Sequence, residues 1–288
     1  METFRGPLVK FLLRAVPLFA LLFCVACDLR GYEYTAYADG NFTTIHVVTV
    51  DPKEHHIRPV RAEGKPVPRE TVAAMAKRFY ADVAVNGGFW KTDGTPAGIL
   101  KIDGKWYGTP TRPRAAIGWS SDGKRVLIDR VLTNFSLSEC PEGVEIEVIP
   151  HSDPAATTAE EWKEVEHIVG GTPLLVSRGH LIEDFSSEKI TIQSFLADRF
   201  PRTAIGIREN GEWVFVVVEN SLLGAVGGLT MSELAQWMLD LGCVDALNLC
   251  GGRSSTLVIE GLNMSTYPLF EQDVSDAIIA IKQSDHGF

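Results

Sequence analysis

The sequence predicts an α+β fold, a single domain of twisted mixed or antiparallel sheet with a few flanking helices. Short alternating or continuous apolar runs, which are typical of strands, recur along most of the chain. Three segments instead have the apolar spacing or the capping residues of helices. No Pro- or Ser-rich linker separates these segments, so we expect them to form one domain.

The N-terminus has the composition of an export signal. Three basic residues precede an apolar run, 15–26, that is shorter than the roughly 20 residues of a membrane-spanning helix. The run ends in Val-Ala just before Cys27, which resembles a bacterial lipoprotein cleavage site. We therefore predict a signal peptide over residues 1–27 with lipid attached to Cys27. Simple secretion is the alternative.

The rest of the chain is predicted to be a short linker, 28–40, followed by one folded domain, 41–286. Without residues 1–27 the net charge is −12, against −10 for the whole sequence. An acidic surface disfavours attraction to nucleic acid or anionic lipid. We expect no nucleic-acid partner, contact with a membrane only through a lipid anchor, and a periplasmic, envelope-bound or secreted location.

The first half of the domain starts with a strand and a helix. Residues 42–50 are rich in β-branched side chains and end at the turn pair Asp51-Pro52, so they predict a strand. After Pro68, apolar residues recur three and four positions apart, which predicts a helix with one apolar face. The chain then enters a short apolar strand that ends at Asn86.

The second half contains two further helices and two clear strands. Residues 144–148 alternate apolar and acidic side chains, as in a half-buried strand. Thr158 begins a capping box that predicts a short helix, and Thr230 begins another. Residues 213–218 form a continuous apolar run, which predicts a strand buried on both faces.

Two internal repeats suggest how the chain is arranged. Residues 113–118 recur as 201–206, and a turn and an apolar run follow each copy, which predicts two hairpins. A helix and a strand precede both Gly87-Gly88 and Gly251-Gly252, and Gly170-Gly171 opens a third predicted hairpin. Ordinary turns would explain any single pair. We predict that the three pairs line one ligand site.

Four motifs occur in an order that resembles the phosphodiester glycosidase family. They are Val-Asn-Gly-Gly-Phe-Trp at 85–90, Arg-Thr-Ala-Ile-Gly at 202–206, Gly-Leu-Thr with Glu-Leu-Ala at 228–235, and Asn-Leu-Cys-Gly-Gly-Arg-Ser-Ser at 248–255. The resemblance spans about residues 40–285. It implies a hydrolase that cleaves the glycosidic C1–O bond of a sugar phosphodiester or polysaccharide substrate in an envelope or extracellular glycan. We call residues 248–255 the motif loop.

The motif loop departs from the family pattern at two positions. The family usually has Asp where this chain has Cys250, and Gly where it has Arg253. If that acid is essential, the alternative is a non-catalytic phosphoglycan- or carbohydrate-binding protein. A transferase that uses the same donor is a third interpretation. Cys250 does not belong to a Cys-x5-Arg phosphatase loop, because the sixth residue after it is Thr256.

The implied reaction needs groups that bind phosphate and groups that activate water or stabilise an oxocarbenium-like centre. The planar guanidinium of Arg binds two phosphate oxygens at once, which makes Arg202 and Arg253 the preferred candidates and Arg114 a further one. Glu219, just past the apolar run 213–218, is the preferred catalytic carboxylate, and Asp245 is the second candidate.

The remaining predicted substrate-binding residues lie in the glycine turns and the motif loop: Asn86, Gly87, Gly88, Asn248, Cys250, Gly251, Gly252, Ser254 and Ser255. Structural roles are open for both asparagines, because Asn is tolerated in turns. Phe89 and Trp90 suit either stacking on a sugar or a place in the core. No metal-ligand spacing occurs, so we predict no metal site, and the sequence leaves any cofactor open.

Overall fold

The computed structural model describes residues 31–39, 42–109, 112–133, 146–149, 157–220, 227–265 and 270–283. Within these ranges every strand pair is antiparallel. Short helices flank the sheets, and the predicted α+β class is confirmed.

The elements are named in chain order. The strands are β1 Tyr32–Asp39, β2 Thr43–Val50, β3 His55–Arg61, β4 Val83–Asn86, β5 Leu100–Ile102, β6 Lys105–Gly108, β7 Arg114–Trp119, β8 Val126–Thr133, β9 Ile146–Val148, β10 His167–Gly170, β11 Leu174–Ser177, β12 His180–Leu181, β13 Arg202–Arg208, β14 Trp213–Glu219, β15 Cys243–Asn248, β16 Leu257–Ile259, β17 Leu262–Asn263 and β18 Asp276–Lys282. The helices are α1 Val72–Phe79, α2 Ala159–Glu164, α3 Gln193–Ala197 and α4 Met231–Asp240.

The strands form three sheets. The seven-stranded sheet has the order β1-β2-β14-β13-β15-β11-β12, the six-stranded sheet β6-β5-β10-β7-β8-β9, and the five-stranded sheet β17-β16-β4-β18-β3. The strands that lead into Gly87-Gly88 and Gly251-Gly252 are β4 and β15. Both are interior strands, so each turn starts from a fixed position.

The main core lies between the sheets, and buried apolar residues of all three contribute to it. Trp119 on β7 donates from Nε1 to the carbonyl of Ile57 on β3 (2.8 Å), which ties the six-stranded sheet to the five-stranded one. Helices α4, α1 and α2 cover the outer faces of the seven-, five- and six-stranded sheets, respectively. Each large apolar side chain buried in this way contributes about 1.5–3 kcal/mol.

The helix starts follow from their caps. Thr158 and Glu161 form both hydrogen bonds of a capping box before α2, and Thr230 and Glu233 do so before α4. Thr71 accepts from the N–H of Ala74 and caps α1. All three predicted helices are therefore confirmed. Among the described residues, no helix has the length and apolar character needed to cross a membrane.

The predicted strands and hairpins are also found. The repeated segments 113–118 and 201–206 fall in the hairpins β7–β8 and β13–β14, and the third hairpin is β11–β12. Every residue of β14 is buried. Ile146 is buried and Glu147 is exposed, as predicted for a half-buried strand.

The structure corrects the prediction of an N-terminal linker. Residues 28–40 were predicted to be a linker, but Tyr32–Asp39 forms β1, which pairs with β2 along its whole length. Its side chains are mostly exposed. Tyr32 and Tyr34 are half-buried against the main core, whereas most of the other side chains are exposed, so the strand lacks a continuous apolar run. Residues 1–30, with Cys27, lie outside the described part of the chain.

Candidate functional site

The three glycine pairs come together where the sheets meet. A Cβ on Gly88 would lie 2.7 Å from the carbonyl oxygen of Gly170, and a Cβ on Gly171 would lie 2.2 Å from that of Asn248. The N–H of Cys250 donates to the carbonyl of Gly87 (3.2 Å). Backbone segments this close leave no room for side chains, so glycine is required. The predicted convergence is confirmed, and the ligand site itself stays a prediction.

Asn86 ties the end of β4 to the motif loop. Its Oδ1 accepts from Thr203 Oγ1 (2.7 Å) and from the N–H of Thr256 (3.1 Å), and its Nδ2 donates to the carbonyl of Cys250 (2.7 Å). The side chain is fully buried. Since its polar atoms are occupied inside the protein, Asn86 shapes the loop rather than offering groups to a sugar.

Asn248 differs from Asn86 in one respect. Its Nδ2 donates to the carbonyls of Thr172 (2.7 Å) and Leu249 (2.8 Å). Its Oδ1 is buried and makes no hydrogen bond to the described residues. A buried acceptor without a partner costs about 1–3 kcal/mol. Asn248 Oδ1 is therefore an acceptor in the cluster that a water or a hydroxyl group can satisfy.

The motif loop folds over the start of β13. The N–H of Gly252 donates to the carbonyl of Pro201 (2.8 Å), and a Cβ on Gly251 would lie 2.8 Å from that same oxygen. Gly252 has a φ of 64°, which favours glycine, and it begins a 3-10 turn, Gly252–Ser254. Gly252 was predicted to bind substrate, but its N–H is already hydrogen-bonded within the protein.

The side chains of the motif loop divide into buried and exposed ones. Ser254 and Ser255 are buried, and Ser255 Oγ makes no hydrogen bond to the described residues. Arg253 is exposed and forms no ion pair within those residues. Of the predicted phosphate-binding arginines, Arg253 is the one that the loop presents to solvent.

Cys250 carries a neutral thiol. Burial raises the pKa of this thiol to about 11, and the nearby carboxyl of Asp276 contributes to the increase. Cys250 forms no disulfide with the described residues. A thiol with this pKa is neither a nucleophile nor an acid–base group near neutral pH.

Arg202 was predicted to bind phosphate, and the structure places it elsewhere. Its guanidinium donates to the carbonyls of Leu229 (2.9 Å), Phe195 (2.9 Å) and Asp198 (3.0 Å) and lies over the rings of Phe195 and Phe200. The side chain is 2% exposed, and burial lowers its pKa to about 10. Arg202 therefore joins the segment around α3 to the seven-stranded sheet.

Arg114 also donates to backbone carbonyls inside the protein. One of its partners, Glu188, contacts the turn after Gly170-Gly171. Arg114 Nη1 donates to the carbonyls of Pro113 and Glu188. The buried Glu188 carboxylate accepts from Thr172 Oγ1 (2.6 Å) and from the N–H of Leu174 (2.7 Å). With these donors satisfied, Glu188 stabilises the turn after Gly170-Gly171.

Glu219 lies at the end of β14 beside a histidine. Its Oε1 is 3.5 Å from Nε2 of His46, and Nδ1 of His46 is hydrogen-bonded to the hydroxyl of Tyr34 (2.8 Å). Glu219 and His46 are both buried. Burial raises the pKa of Tyr34, and the negative charge of Glu219 adds to that increase. Strands β1, β2 and β14 thus supply a linked Tyr-His-Glu set.

Sheet register relates Glu219 to the motif loop. On β14 Val218 pairs with Arg202, so the following residue, Glu219, is level with Pro201. Pro201 is the residue whose carbonyl binds Gly252 of the motif loop. Glu219 and this anchor of the motif loop therefore lie at the same end of the seven-stranded sheet.

Two other acidic residues, the candidate Asp245 and Asp93 in the loop after Trp90, have their partners away from the motif loop. Asp245 lies toward the opposite end of β15 from Asn248, and its Oδ1 accepts from the N–H of Arg178 (2.9 Å). Asp93 is in an exposed turn, where its Oδ1 accepts from both the N–H and the hydroxyl of Thr95. Neither carboxylate is brought to the motif loop.

The aromatic residues after Gly88 pack against other parts of the protein. The ring of Phe89 lies edge-on to that of Phe195 (6.2 Å between centroids), and the guanidinium of Arg69 lies over Trp90 (5.2 Å). These contacts favour the structural role that the sequence left open for both.

Two residues of the site carried no sequence signal. His46 lies within the apolar strand β2, and Asp276 begins the apolar strand β18. The Oδ1 of Asp276 accepts from the N–H of Gly88 (2.8 Å), so its carboxyl lies against the first glycine pair. A polar residue in a strand does not show which turn it faces, because that depends on sheet order.

Comparison with known proteins gives one family. A family model described as phosphodiester glycosidase matches residues 79–281. A curated relative, the SPβ prophage-derived uncharacterised protein YomE of Bacillus subtilis (strain 168), is 26% identical over an alignment of 208 residues that covers 67% of this chain. The chain spans about a quarter (26%) of the length of that relative.

Three solved structures share the fold. A hypothetical protein from Synechocystis has a TM-score of 0.68 at 20% identity, covering 88% of this chain and 62% of its own. The catalytic domain of zebrafish N-acetylglucosamine-1-phosphodiester alpha-N-acetylglucosaminidase, auto-inhibited by its pro-peptide, has a TM-score of 0.64 at 19% identity, covering 88% and 82%. A Burkholderia pseudomallei protein described as exported has a TM-score of 0.64 at 16% identity, covering 85% and 75%.

Proposed function

Because the chain belongs to the phosphodiester glycosidase family, we propose that it hydrolyses a sugar-1-phosphodiester at the bond between the anomeric carbon and the phosphate oxygen. The observation that carries the proposal is the convergence of the three glycine pairs on the motif loop. That loop presents the exposed Arg253, and the buried Glu219 lies at the same end of the seven-stranded sheet as the residue that anchors the loop, Pro201.

The phosphate side and the sugar side of the cleaved bond need different groups from the protein. The phosphodiester carries a negative charge and leaves readily, so the main need on its side is a cation that binds phosphate oxygens. Arg253 fills this role in the proposal, because its guanidinium is exposed at the tip of the motif loop. Asn248 Oδ1 is an acceptor for a sugar hydroxyl.

The sugar side needs a carboxylate. As the C1–O bond breaks, positive charge develops at C1, and a carboxylate either stabilises that charge or accepts a proton from the attacking water. Glu219 has this role in the proposal. Its neighbour His46, whose Nε2 is 3.5 Å from Glu219 Oε1, is hydrogen-bonded to Tyr34 and packs beside the carboxylate.

The proposed substrate is a sugar phosphodiester of an envelope or extracellular glycan. N-acetylglucosamine is the first sugar to test, because the zebrafish protein of the same fold is named for an N-acetylglucosamine-1-phosphodiester. UDP-N-acetylglucosamine contains the required linkage and serves as the probe.

A second candidate function is binding without catalysis. Cys250 supports it, because a neutral thiol stands where the family has an acidic residue. In this alternative the site binds sugar phosphodiesters and does not turn them over.

We expect the native protein to release N-acetylglucosamine from UDP-N-acetylglucosamine. Cys250→Asp should change stability more than rate, because it places a second carboxyl beside the buried Asp276. Two carboxyls that share a buried site cannot both ionise freely, and the cost should be about 1–3 kcal/mol. Sugar release and thermal unfolding are measured for both proteins, with Cys250→Ser as the uncharged control. No release by native protein with clear release by Cys250→Asp would contradict catalysis and favour the binding function.

The proposal places the protein outside the cytoplasm, with lipid on Cys27. We expect a bacterial host given radioactive palmitate to label the wild-type protein and the Cys24→Ala control, because only Cys27 follows a small residue at the predicted cleavage point. Cys27→Ala should remain unlabelled. Equal labelling of all three proteins, or of none, would contradict lipidation at Cys27.

A further inference from the structure

Asp276 is the first residue of β18, the strand that pairs with both β3 and β4. Its main-chain carbonyl accepts from the N–H of Gly87 (2.9 Å), and its Oδ1 accepts from the N–H of Gly88 (2.8 Å). Its Oδ2 accepts from the hydroxyl of Ser275. One residue therefore holds both amides of the first glycine pair.

The carboxyl of Asp276 occupies the space that a side chain at position 87 would fill. A Cβ built on Gly87 would lie 1.9 Å from Asp276 Oδ1, and the carbonyl of Gly87 in turn binds the N–H of Cys250. Asp276 and Cys250 therefore flank the same glycine. The negative charge of Asp276 reaches the Cys250 thiol, whose pKa it helps to raise.

On the basis of the proposed function, we propose that Asp276 supplies the negative charge that the motif loop lacks at Cys250. The site keeps a carboxyl group, but that group is carried by β18 instead of by the motif loop. Asp276 is a positioning residue, because its carbonyl and carboxylate hold the amides of the Gly87-Gly88 turn, which in turn binds the motif loop through Cys250. Its ionised carboxylate adds negative charge to the surroundings of the site in which positive charge develops at C1.

Among the groups that face Asp276, its own carboxyl is the one that ionises near neutral pH. Arg61 of β3 pairs with Asp276 across the sheet, and its positive charge lowers the pKa of Asp276. Burial keeps the Cys250 thiol neutral. The facing residues of β4 do not titrate. Burial raises the pKa of Asp276 to about 6, whereas hydrogen bonds from Ser275 and Gly88 act in the opposite direction.

Ionisation of Asp276 should affect rate and stability in opposite directions. The pKa in the folded protein, about 6, is above the ordinary value of 3.8, so the folded state binds more protons between these values. The stability that Asp276 contributes is fully present below that ordinary value and is lost as pH rises through about 6. Because the proposal requires the ionised form, the rate of sugar release should rise over the same interval.

Asp276→Asn tests the proposal, because asparagine keeps an acceptor for the N–H of Gly88 and removes the charge. Sugar release from UDP-N-acetylglucosamine and melting temperature are followed from pH 4 to 8 for wild type, Asp276→Asn and the exchange variant Cys250→Asp/Asp276→Asn. We expect Asp276→Asn to lose about 100-fold in rate and the dependence of rate on pH near 6. Its melting temperature should no longer fall across that interval, and the exchange variant should recover at least tenfold of the lost rate.

The outcomes separate this role from a structural one and from failure of the proposed function. An Asp276→Asn variant that folds and matches the wild-type rate and pH profile would overturn the role of Asp276 alone. So would an exchange variant that is folded, by its melting curve, and no faster than Asp276→Asn. Wild-type protein that releases no sugar at any pH would instead defeat the proposed function.

Discussion

Replacing Glu219 with Gln should lower kcat for sugar release by about 100-fold to 10,000-fold, the usual contribution of a positioned acid or base. Glutamine has the shape of glutamate and can still contact His46, but it carries no charge and accepts no proton. The attacking water would then lose its base, and the charge developing at C1 would lose its counter-ion. Release of N-acetylglucosamine from UDP-N-acetylglucosamine, at saturating substrate, measures the change.

Glu212→Gln provides a matched control. Glu212 immediately precedes β14, at the other end of the strand from Glu219, and is bound to Arg208 (3.0 Å). The same substitution there should leave kcat near the wild-type value. If Glu219→Gln folds, by its melting curve, and also keeps the wild-type kcat, Glu219 is not the catalytic carboxylate.

Replacing Arg253 with Ala should lower kcat/KM by about 30-fold to 1,000-fold, or about 2–4 kcal/mol of transition-state stabilisation. The guanidinium is exposed at the tip of the motif loop, so its loss removes a charge-assisted contact to the phosphate and breaks no internal hydrogen bond that the structure describes. The melting temperature should stay close to that of the wild type. Arg253→Lys should fall between the two, because lysine keeps the charge without the planar fork.

Arg202→Ala is the counterpart of this experiment. It removes three hydrogen bonds to backbone carbonyls and a buried cation between two phenylalanine rings. Its main effect should be a loss of about 3 kcal/mol or more in unfolding free energy, measured by denaturant titration. The assignment of roles to the two arginines would be reversed if Arg253→Ala unfolded readily while Arg202→Ala stayed stable and lost activity.

Local sequence patterns were sufficient for most elements of the fold. The capping boxes at Thr158 and Thr230 predicted α2 and α4, because a cap and its helix are adjacent in sequence. The repeated segments predicted two hairpins for the same reason. Strand β1 was missed because most of its side chains are exposed, so it lacks the continuous apolar run that marks the buried strands.

The candidate site was predictable in its backbone but not in its side chains. The glycine pairs mark close backbone approach, and that approach is found at Gly88 and Gly171. The roles of Arg202, His46 and Asp276 depend on what lies across a sheet or beneath a turn. A sequence does not distinguish an arginine that binds backbone carbonyls from one that binds phosphate, because the partner of each arginine depends on the order of the strands in the sheet.

The contacts that build the site join residues that are far apart along the chain. Asn86 meets Thr203, 117 residues later, and Cys250, 164 residues later, and Gly88 meets Asp276 after 188 residues. Contacts between residues so far apart in the sequence form late in folding, because long loops must close first. Strand β18 lies between β3 and β4, so the five-stranded sheet has a gap until that last strand arrives. If the chain is exported from its N-terminus, as proposed, it would therefore acquire its site only after nearly all of it has crossed the membrane.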